Sequence, residues 1–123
     1  MTPGGFHSFE HRWALDRAFG LHQEIGKARV AARIQELNSQ LKEGLAAMPG
    51  ITLHTPRDPA LSAGLVCFEV AGLSQQAVVD RLRDRRIIAT TTPYNPSYAR
   101  LAAGLLNTPD EVETALRTVR ALA

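Results

Sequence analysis

Two histidines and a glutamate near the amino terminus form the first pattern that could carry chemistry. His7, Glu10 and His11 match H-x-x-E-H. On a helix, this spacing lets two histidines share a zinc ion while the adjacent glutamate acts as a base. The pattern is short, it lies where a loop is predicted to turn into a helix, and the sequence offers no clear third ligand. We therefore interpret it as the polar start of a helix and predict no metal site.

The single cysteine, Cys67, is the second reactive side chain. It lies inside the apolar run 65–70, which is predicted to form a strand, and no base stands near it in the sequence to generate a thiolate. We expect a thiol buried in the core rather than a nucleophile. One cysteine also rules out an internal disulfide, which fits a reducing compartment.

Arg100 is the third candidate. In the predicted strand 98–102 it alternates with Ala99 and Leu101, so it shares the opposite face with Tyr98 if those two residues face the core. A guanidinium on an open sheet face, just after a proline-rich loop, suits bidentate capture of a carboxylate. A solvated surface arginine fits the same pattern, and the strand alone does not decide between the two.

The helices that must position these residues follow from apolar spacing. Apolar residues three or four apart predict a long N-terminal helix over about 8–48, which ends at Pro49-Gly50. Gly20 and Gly26 weaken this helix, so a bend or break is expected near one of them. Ser74 is a good N-cap for a second helix. The run Thr108-Pro109-Asp110-Glu111 reads as a capping box that starts the last helix.

The strands follow from alternation and from turn residues. They are predicted at 51–54, 65–70, 87–91 and 98–102. The order is then a long helix, two strands, a helix, two strands and a helix. This order predicts an α+β fold in which helices cover a small, mostly antiparallel sheet. At 123 residues the chain is expected to form a single domain over 1–123.

Composition excludes several classes of function. The net charge is only +2 and no basic block is present, so nucleic-acid binding is not expected. No apolar run approaches the roughly 20 residues that a membrane helix needs. Residues 1–5 lack the basic and apolar regions of a signal peptide. These features favour a soluble, cytoplasmic protein without a membrane partner.

The segment Arg100 to Glu111 resembles the signature of the aminotransferase class V family, a group of fold-type I pyridoxal 5'-phosphate (PLP) enzymes. The shared features are an arginine, an Asn-Thr step seven residues later and an acidic helix start. Further stretches are similar to the isopenicillin N epimerase-like branch of that family: residues 3–6, 8–15, 25–29, 61–68 and 92–94. The resemblance covers nearly the whole chain, but only the last third of a family member.

The resemblance implies that the chain is the C-terminal small domain of a PLP enzyme. Arg100 would bind the α-carboxylate of an amino-acid substrate. Gly5, Phe6 and Ser8 match the segment that, in the family's homodimers, reaches the cofactor phosphate of the other subunit. Phe6 stands where the family usually has a threonine, whose hydroxyl contacts that phosphate.

The family's large domain supplies the lysine that forms the Schiff base and the aspartate on the pyridine nitrogen. The two lysines here, Lys27 and Lys42, lie on the predicted long helix, where lysines are usually solvated. No catalytic residue is therefore expected in this chain, which should be inactive alone. The implied partners are a large domain or a separate chain carrying that lysine, the amino-acid substrate and a second copy of the protein.

Two further points bear on the chemistry. The family's cysteine desulfurases carry a nucleophilic cysteine in the loop before the signature arginine, and the corresponding residues 90–96 contain none, which disfavours persulfide chemistry. One arginine does not choose among epimerisation, transamination and lyase chemistry. A different class of function also fits the sequence, namely a non-catalytic binding or oligomerisation domain with the same fold.

Overall fold

A computed structural model describes residues 8–123 of the chain. It divides into two compact units, a smaller one that ends at Ala31 and a larger one, Ala32–Ala123. Within the described residues, no helix is both long enough and apolar enough to cross a membrane.

The predicted long helix is two helices, α1 (Phe9–Ile25) and α2 (Lys27–Ala46). The break falls at Gly26, where φ is 92°, a left-handed conformation that glycine adopts without a steric penalty. Gly20 lies within α1 and does not interrupt it. None of the side chains of α1 is buried.

The larger unit contains a four-stranded antiparallel sheet. Its strands are β1 (Ile51–Leu53), β2 (Val66–Val70), β3 (Thr90–Thr91) and β4 (Ala99–Leu101), in the order β1-β2-β4-β3. The other helices are α3 (Gln75–Asp84) and α4 (Pro109–Arg120). The prediction of an α+β fold with a small antiparallel sheet covered by helices is confirmed.

One face of the sheet forms the core with α2, α3 and α4. Val66, Phe68 and Val70 are buried in β2. The helices contribute apolar side chains at the predicted spacings: Leu37, Leu41, Leu45, Val78, Val79, Leu82, Val112, Leu116 and Val119. Helix α2 approaches α4 closely at Gly44, where an added Cβ would clash with the side chain of Leu116.

The prediction of a third strand over 87–91 is wrong in its extent, since β3 begins only at Thr90. The preceding residues close the end of α3 instead. Arg86 N–H bonds to Arg83 O at 2.8 Å and Ile87 N–H bonds to Leu82 O at 2.9 Å, which is the hydrogen-bond pattern of a Schellman motif. Arg86 adopts a φ of 63° there, so the backbone turns and is not extended.

Both predicted helix caps are confirmed. Ser74 Oγ accepts the N–H of Ala77. Thr108 and Glu111 form the reciprocal capping box, with Pro109 in the first turn of α4. The capping residue Thr108 lies eight residues after Arg100, and the box so limits the length of the connection between β4 and α4.

Candidate functional site

The sheet face that points away from the core carries the candidate site. Arg100 is half-buried on this face, between the buried Ala99 and Leu101. The register places it opposite Cys67 of β2 on one side and opposite Thr90 of β3 on the other. The orientation is the one that the alternation predicted.

Arg100 is held along one edge of its guanidinium group. Its Nε donates a hydrogen bond to Thr90 Oγ1 at 2.6 Å. Within residues 8–123 this is its one hydrogen bond, and it forms no ion pair there. The two terminal nitrogens therefore keep N–H donors in the fork geometry that a carboxylate accepts.

Cys67 does not lie in the core, contrary to the prediction from its strand. It is half-buried and shares the open face with Arg100. The physical reason is the alternation of β2, because Val66 and Phe68 occupy the core positions on either side of it. Both faces of the run 65–70 contain apolar residues, so the sequence did not show which face the helices cover.

A cluster of three further side chains lies on the same face, and the sequence analysis did not identify it as a cluster. His54 Nε2 lies 2.7 Å from Glu69 Oε2. The His54 ring stacks on Tyr98, with ring centroids 3.9 Å apart and an interplanar angle of 26°. These residues come from β2 and from the ends of β1 and β4, so only the strand register brings them together. Of the three residues, only Tyr98 was placed beside Arg100 by the alternation along the predicted strand 98–102.

A cleft of about 720 Å³ opens at the β3 edge of the sheet and includes Arg100 in its lining. Its walls come from the segment between α3 and β3, the end of β4 and the first turns of α4, together with Leu41 of α2 and Leu65 before β2. The charged residues in its lining are Arg85, Arg86, Arg100 and Glu111. Most of the remaining lining is aliphatic, so the cleft combines apolar walls with three arginine residues.

The exit of β4 is anchored by Asn38, which is 1% exposed. Its Nδ2 donates to Ala103 O at 2.8 Å and its Oδ1 accepts the N–H of Ala103 at 3.2 Å. Asn107 closes the following turn, since its Oδ1 accepts the N–H of Gly104 at 2.8 Å. Helix α2 thus fixes the chain three residues beyond Arg100. The one hint of this contact in the sequence is that Asn38 is a polar residue among the regularly spaced apolar residues of α2.

The N-terminal candidates fall mostly outside the described residues. Gly5, Phe6 and His7 lie outside the described residues, so the phosphate contact remains a prediction, and the interpretation of the histidine motif as the polar start of a helix is not tested at His7. Ser8 Oγ donates to Glu10 Oε2 at 2.6 Å, and this hydrogen bond lowers the pKa of Glu10. Within residues 8–123, no group of three His, Cys, Asp or Glu side chains is placed to hold a metal ion.

The expectation that both lysines are solvated is wrong for Lys42. Its side chain is 2% exposed, and Nζ donates to Pro56 O at 3.2 Å, Arg57 O at 2.8 Å and Ser62 Oγ at 2.7 Å. These three hydrogen bonds hold the loop between β1 and β2 against α2. The three ammonium donors of Lys42 are all used, which is how a buried ammonium group is tolerated. Lys27 is exposed, as expected.

Solved structures of PLP enzymes share this fold. The chain is similar to the cystine C-S lyase C-DES in complex with its product cysteine persulfide, at 28% identity over 84% of this chain and 27% of that one, with a TM-score of 0.72. It is also similar to the apo cysteine desulfurase of Thermococcus onnurineus NA1, at 26% identity over 81% of this chain and 27% of that one, with a TM-score of 0.75. A C-DES variant with glycine covalently linked to its PLP cofactor gives a TM-score of 0.72 at 28% identity, over 84% of this chain and 26% of that one.

Sequence comparison leads to the same group. The chain is 28% identical over 105 residues to the isopenicillin N epimerase of Streptomyces clavuligerus, in agreement with the branch that the motifs suggested. The match covers 81% of this chain and 26% of the epimerase, so the chain spans about a quarter of its relative's length. The family model for aminotransferase class V matches residues 9–114, which include Arg100 and the capping box of α4. The chain therefore belongs to the aminotransferase class V family.

Proposed function

We propose that this chain is the C-terminal small domain of a PLP-dependent amino-acid enzyme and that Arg100 binds the α-carboxylate of the substrate. The observation that carries the proposal is the geometry of Arg100. Thr90 holds its Nε at 2.6 Å, while its terminal N–H groups stay open towards the accessible face of the sheet. A guanidinium that is fixed on one edge and open on the other loses little side-chain freedom when it binds a carboxylate.

The described residues fit the substrate end of a PLP site but not the covalent attachment of the cofactor. Lys42 is buried and its ammonium group already donates three hydrogen bonds, and Lys27 lies exposed at the start of α2. The attaching lysine is therefore proposed to come from a large domain or a second chain. The length of the relatives, about four times the part matched here, supports this.

When bound, PLP supplies an electron-withdrawing ring joined through the amino nitrogen to the substrate Cα. Arg100 contributes by orientation. With the carboxylate pinned, rotation about the bond between nitrogen and Cα is restricted, which decides which bond to Cα is aligned for cleavage. We favour epimerase-like chemistry because of the similarity to isopenicillin N epimerase, with transaminase and lyase outcomes as the alternatives. The lone cysteine fits a cytoplasmic location.

Carboxylate binding by the chain itself tests the role of Arg100. Titration of the ¹⁵N-labelled chain with hexanoate should shift the Arg100 Nε–H resonance in a saturable way. Arg100→Gln should abolish that saturable binding. Arg81→Gln, which removes a charge from the exposed face of α3 outside the cleft, should leave it unchanged. Equal hexanoate affinity in the chain with and without Arg100 would refute the proposal.

Cofactor trapping tests whether the chain builds a covalent PLP site of its own. The purified chain is mixed with PLP and reduced with borohydride, and modified lysines are mapped by mass spectrometry. We expect no stoichiometric adduct on Lys27 or Lys42. A stoichiometric adduct on either lysine that disappears in Arg100→Ala would show that the short chain forms a complete site.

A stand-alone binding or oligomerisation domain is the second candidate function, and the exposed apolar residues of α1 favour it. Trp13 is 70% exposed and Phe19 is 60% exposed. A stable assembly of this chain alone that binds neither PLP nor carboxylates would support this candidate over the enzyme domain.

A further inference from the structure

The side chain of Arg100 is oriented by a single neighbour, Thr90. The two residues are directly paired between β3 and β4, and Arg100 Nε donates to Thr90 Oγ1 at 2.6 Å. Within residues 8–123, neither the guanidinium group nor this hydroxyl group forms another hydrogen bond. The direction in which the guanidinium group points therefore depends on one hydroxyl group.

The strand itself does not require that hydroxyl group. Strand β3 comprises only Thr90 and Thr91, and its pairing with β4 continues through the backbone, where Thr92 N–H donates to Tyr98 O at 2.8 Å. Any β-branched residue suits such a position. Because Thr90 is exposed, packing in the core does not select its side chain either. A valine would keep the shape of the residue and lose only the contact with Arg100.

The hydrogen bond also decides on which side of its strand the guanidinium group lies. The other cross-strand neighbour of Arg100 is Cys67 of β2, whose thiol is only a weak hydrogen-bond acceptor. The lining of the cleft includes Thr90 and Arg100 but not Cys67. A hydrogen bond from a charged donor is among the stronger ones in proteins. Thr90 thus holds the guanidinium group on the β3 side, where the cleft opens.

The same contact limits how a carboxylate can bind. A guanidinium group can offer a carboxylate two parallel hydrogen bonds along either of two kinds of edge, one made by Nε with a terminal nitrogen and one made by both terminal nitrogens. Nε has a single N–H, and in Arg100 that group is donated to Thr90. The edge made by Nη1 and Nη2 is the one that remains open.

Building on the proposed function, we infer that Thr90 is a positioning residue, whose hydroxyl group turns Arg100 towards the cleft and directs the substrate carboxylate to the Nη1–Nη2 edge. Thr90 acts through Arg100 and takes no part in bond cleavage. Without the hydroxyl group, Arg100 keeps its charge but is free to rotate, so that its side chain must be ordered when the carboxylate binds.

Removal of the hydroxyl group without a change of shape tests the inference. The ¹⁵N-labelled 123-residue chain and its variants are titrated with hexanoate, and the Arg100 Nε–H resonance is followed. We expect Thr90→Val to weaken hexanoate binding roughly two- to tenfold, the range for the loss of one hydrogen bond. Thr90→Ser should restore the affinity of the unaltered chain. Thr91→Val is the matched control, since Thr91 pairs with the buried Ala99 and lies outside the cleft lining, and it should bind hexanoate as the unaltered chain does.

The Arg100 Nε–H group reports on the edge that the carboxylate uses. We expect its resonance to differ between the unaltered chain and Thr90→Val, both before and after saturation with hexanoate, because Thr90 keeps its hydrogen bond in the complex. If the two chains reach the same Nε–H chemical shift at saturation, the carboxylate has displaced the hydroxyl group, and the inference is overturned.

The remaining outcomes separate the inference from the proposed function. Unchanged hexanoate affinity in Thr90→Val, together with loss of binding in Arg100→Gln, would leave the role of Arg100 intact and overturn the inference. If Thr90 serves only to stabilise the sheet, Thr90→Val will lower the melting temperature and keep the affinity for hexanoate, which also overturns it. Binding of hexanoate that is independent of Arg100 would refute the proposed function itself.

Discussion

Lys42 and Lys27 are of the same residue type and lie fifteen positions apart on one helix, yet their environments differ. Lys42 is 2% exposed and holds three oxygen atoms of the β1–β2 loop, whereas Lys27 is exposed. Both fall in a helical pattern, and nothing in the spacing of either indicates which one is covered. The difference arises because the loop 56–62 folds back over one of them.

We predict that Lys42→Ala lowers the free energy of unfolding by about 2–4 kcal/mol, because it leaves loop acceptors unpaired and creates a void. Lys27→Ala is the matched control and should change it by less than about 0.5 kcal/mol. Urea denaturation of both variants measures the difference. Similar stability of the two variants would show that Lys42 does not hold the loop.

Arg86 shows how one backbone angle affects stability at the residue scale. We predict that Arg86→Gly raises the free energy of unfolding by up to about 1 kcal/mol, since relief of the left-handed strain exceeds the added entropy of the unfolded chain. Arg85→Gly, at a φ of −96°, should lower it by about 0.5–1 kcal/mol. Thermal unfolding of the pair checks the prediction, and a loss of stability in Arg86→Gly would contradict it.

Helix α4 illustrates the scale of a single element, because its start is encoded locally. Thr108 Oγ1 accepts the N–H of Glu111 at 3.2 Å and Glu111 Oε2 accepts the N–H of Thr108 at 2.9 Å. Four consecutive residues contain both halves of this arrangement, so the sequence predicted it. The beginning of β3 was predicted three residues too early, since it depends on where the hydrogen bonds that end α3 stop.

The capping box should make stability depend on pH. The N–H of Thr108 and the side chain of Asn107 lower the pKa of Glu111 below its ordinary value of 4.5. The folded state therefore favours the carboxylate, so the contribution is complete above the unfolded-state pKa and is lost as the pH falls through the folded-state value. Glu111→Gln should reduce the loss of stability on acidification below about pH 4.5. Glu113→Gln, an exposed neighbour in α4, should follow the unaltered chain in acid denaturation measured by circular dichroism.

At the scale of the whole molecule, exposed apolar surface on α1 should lead to self-association. Phe9, Trp13 and Phe19 are each at least 60% exposed, and apolar surface of this kind is commonly covered in an assembly. We expect the sedimentation coefficient of the chain to rise with concentration, and Trp13→Gln with Phe19→Gln to reduce that rise. Arg12→Gln is the control. A strictly monomeric chain at high concentration would contradict the prediction.

The sequence by itself determined the local features: both helix caps, the break near a glycine and the alternation of side chains along β2 and β4. Each of these depends on residues within a few positions of one another, where spacing and side-chain type decide the conformation. The tertiary structure alone decided the contacts of Arg100 with Thr90, the His54–Glu69–Tyr98 cluster and the burial of Lys42. These join segments 10 to 44 positions apart in the chain. Strand register and loop packing bring them together, and no local pattern specifies either.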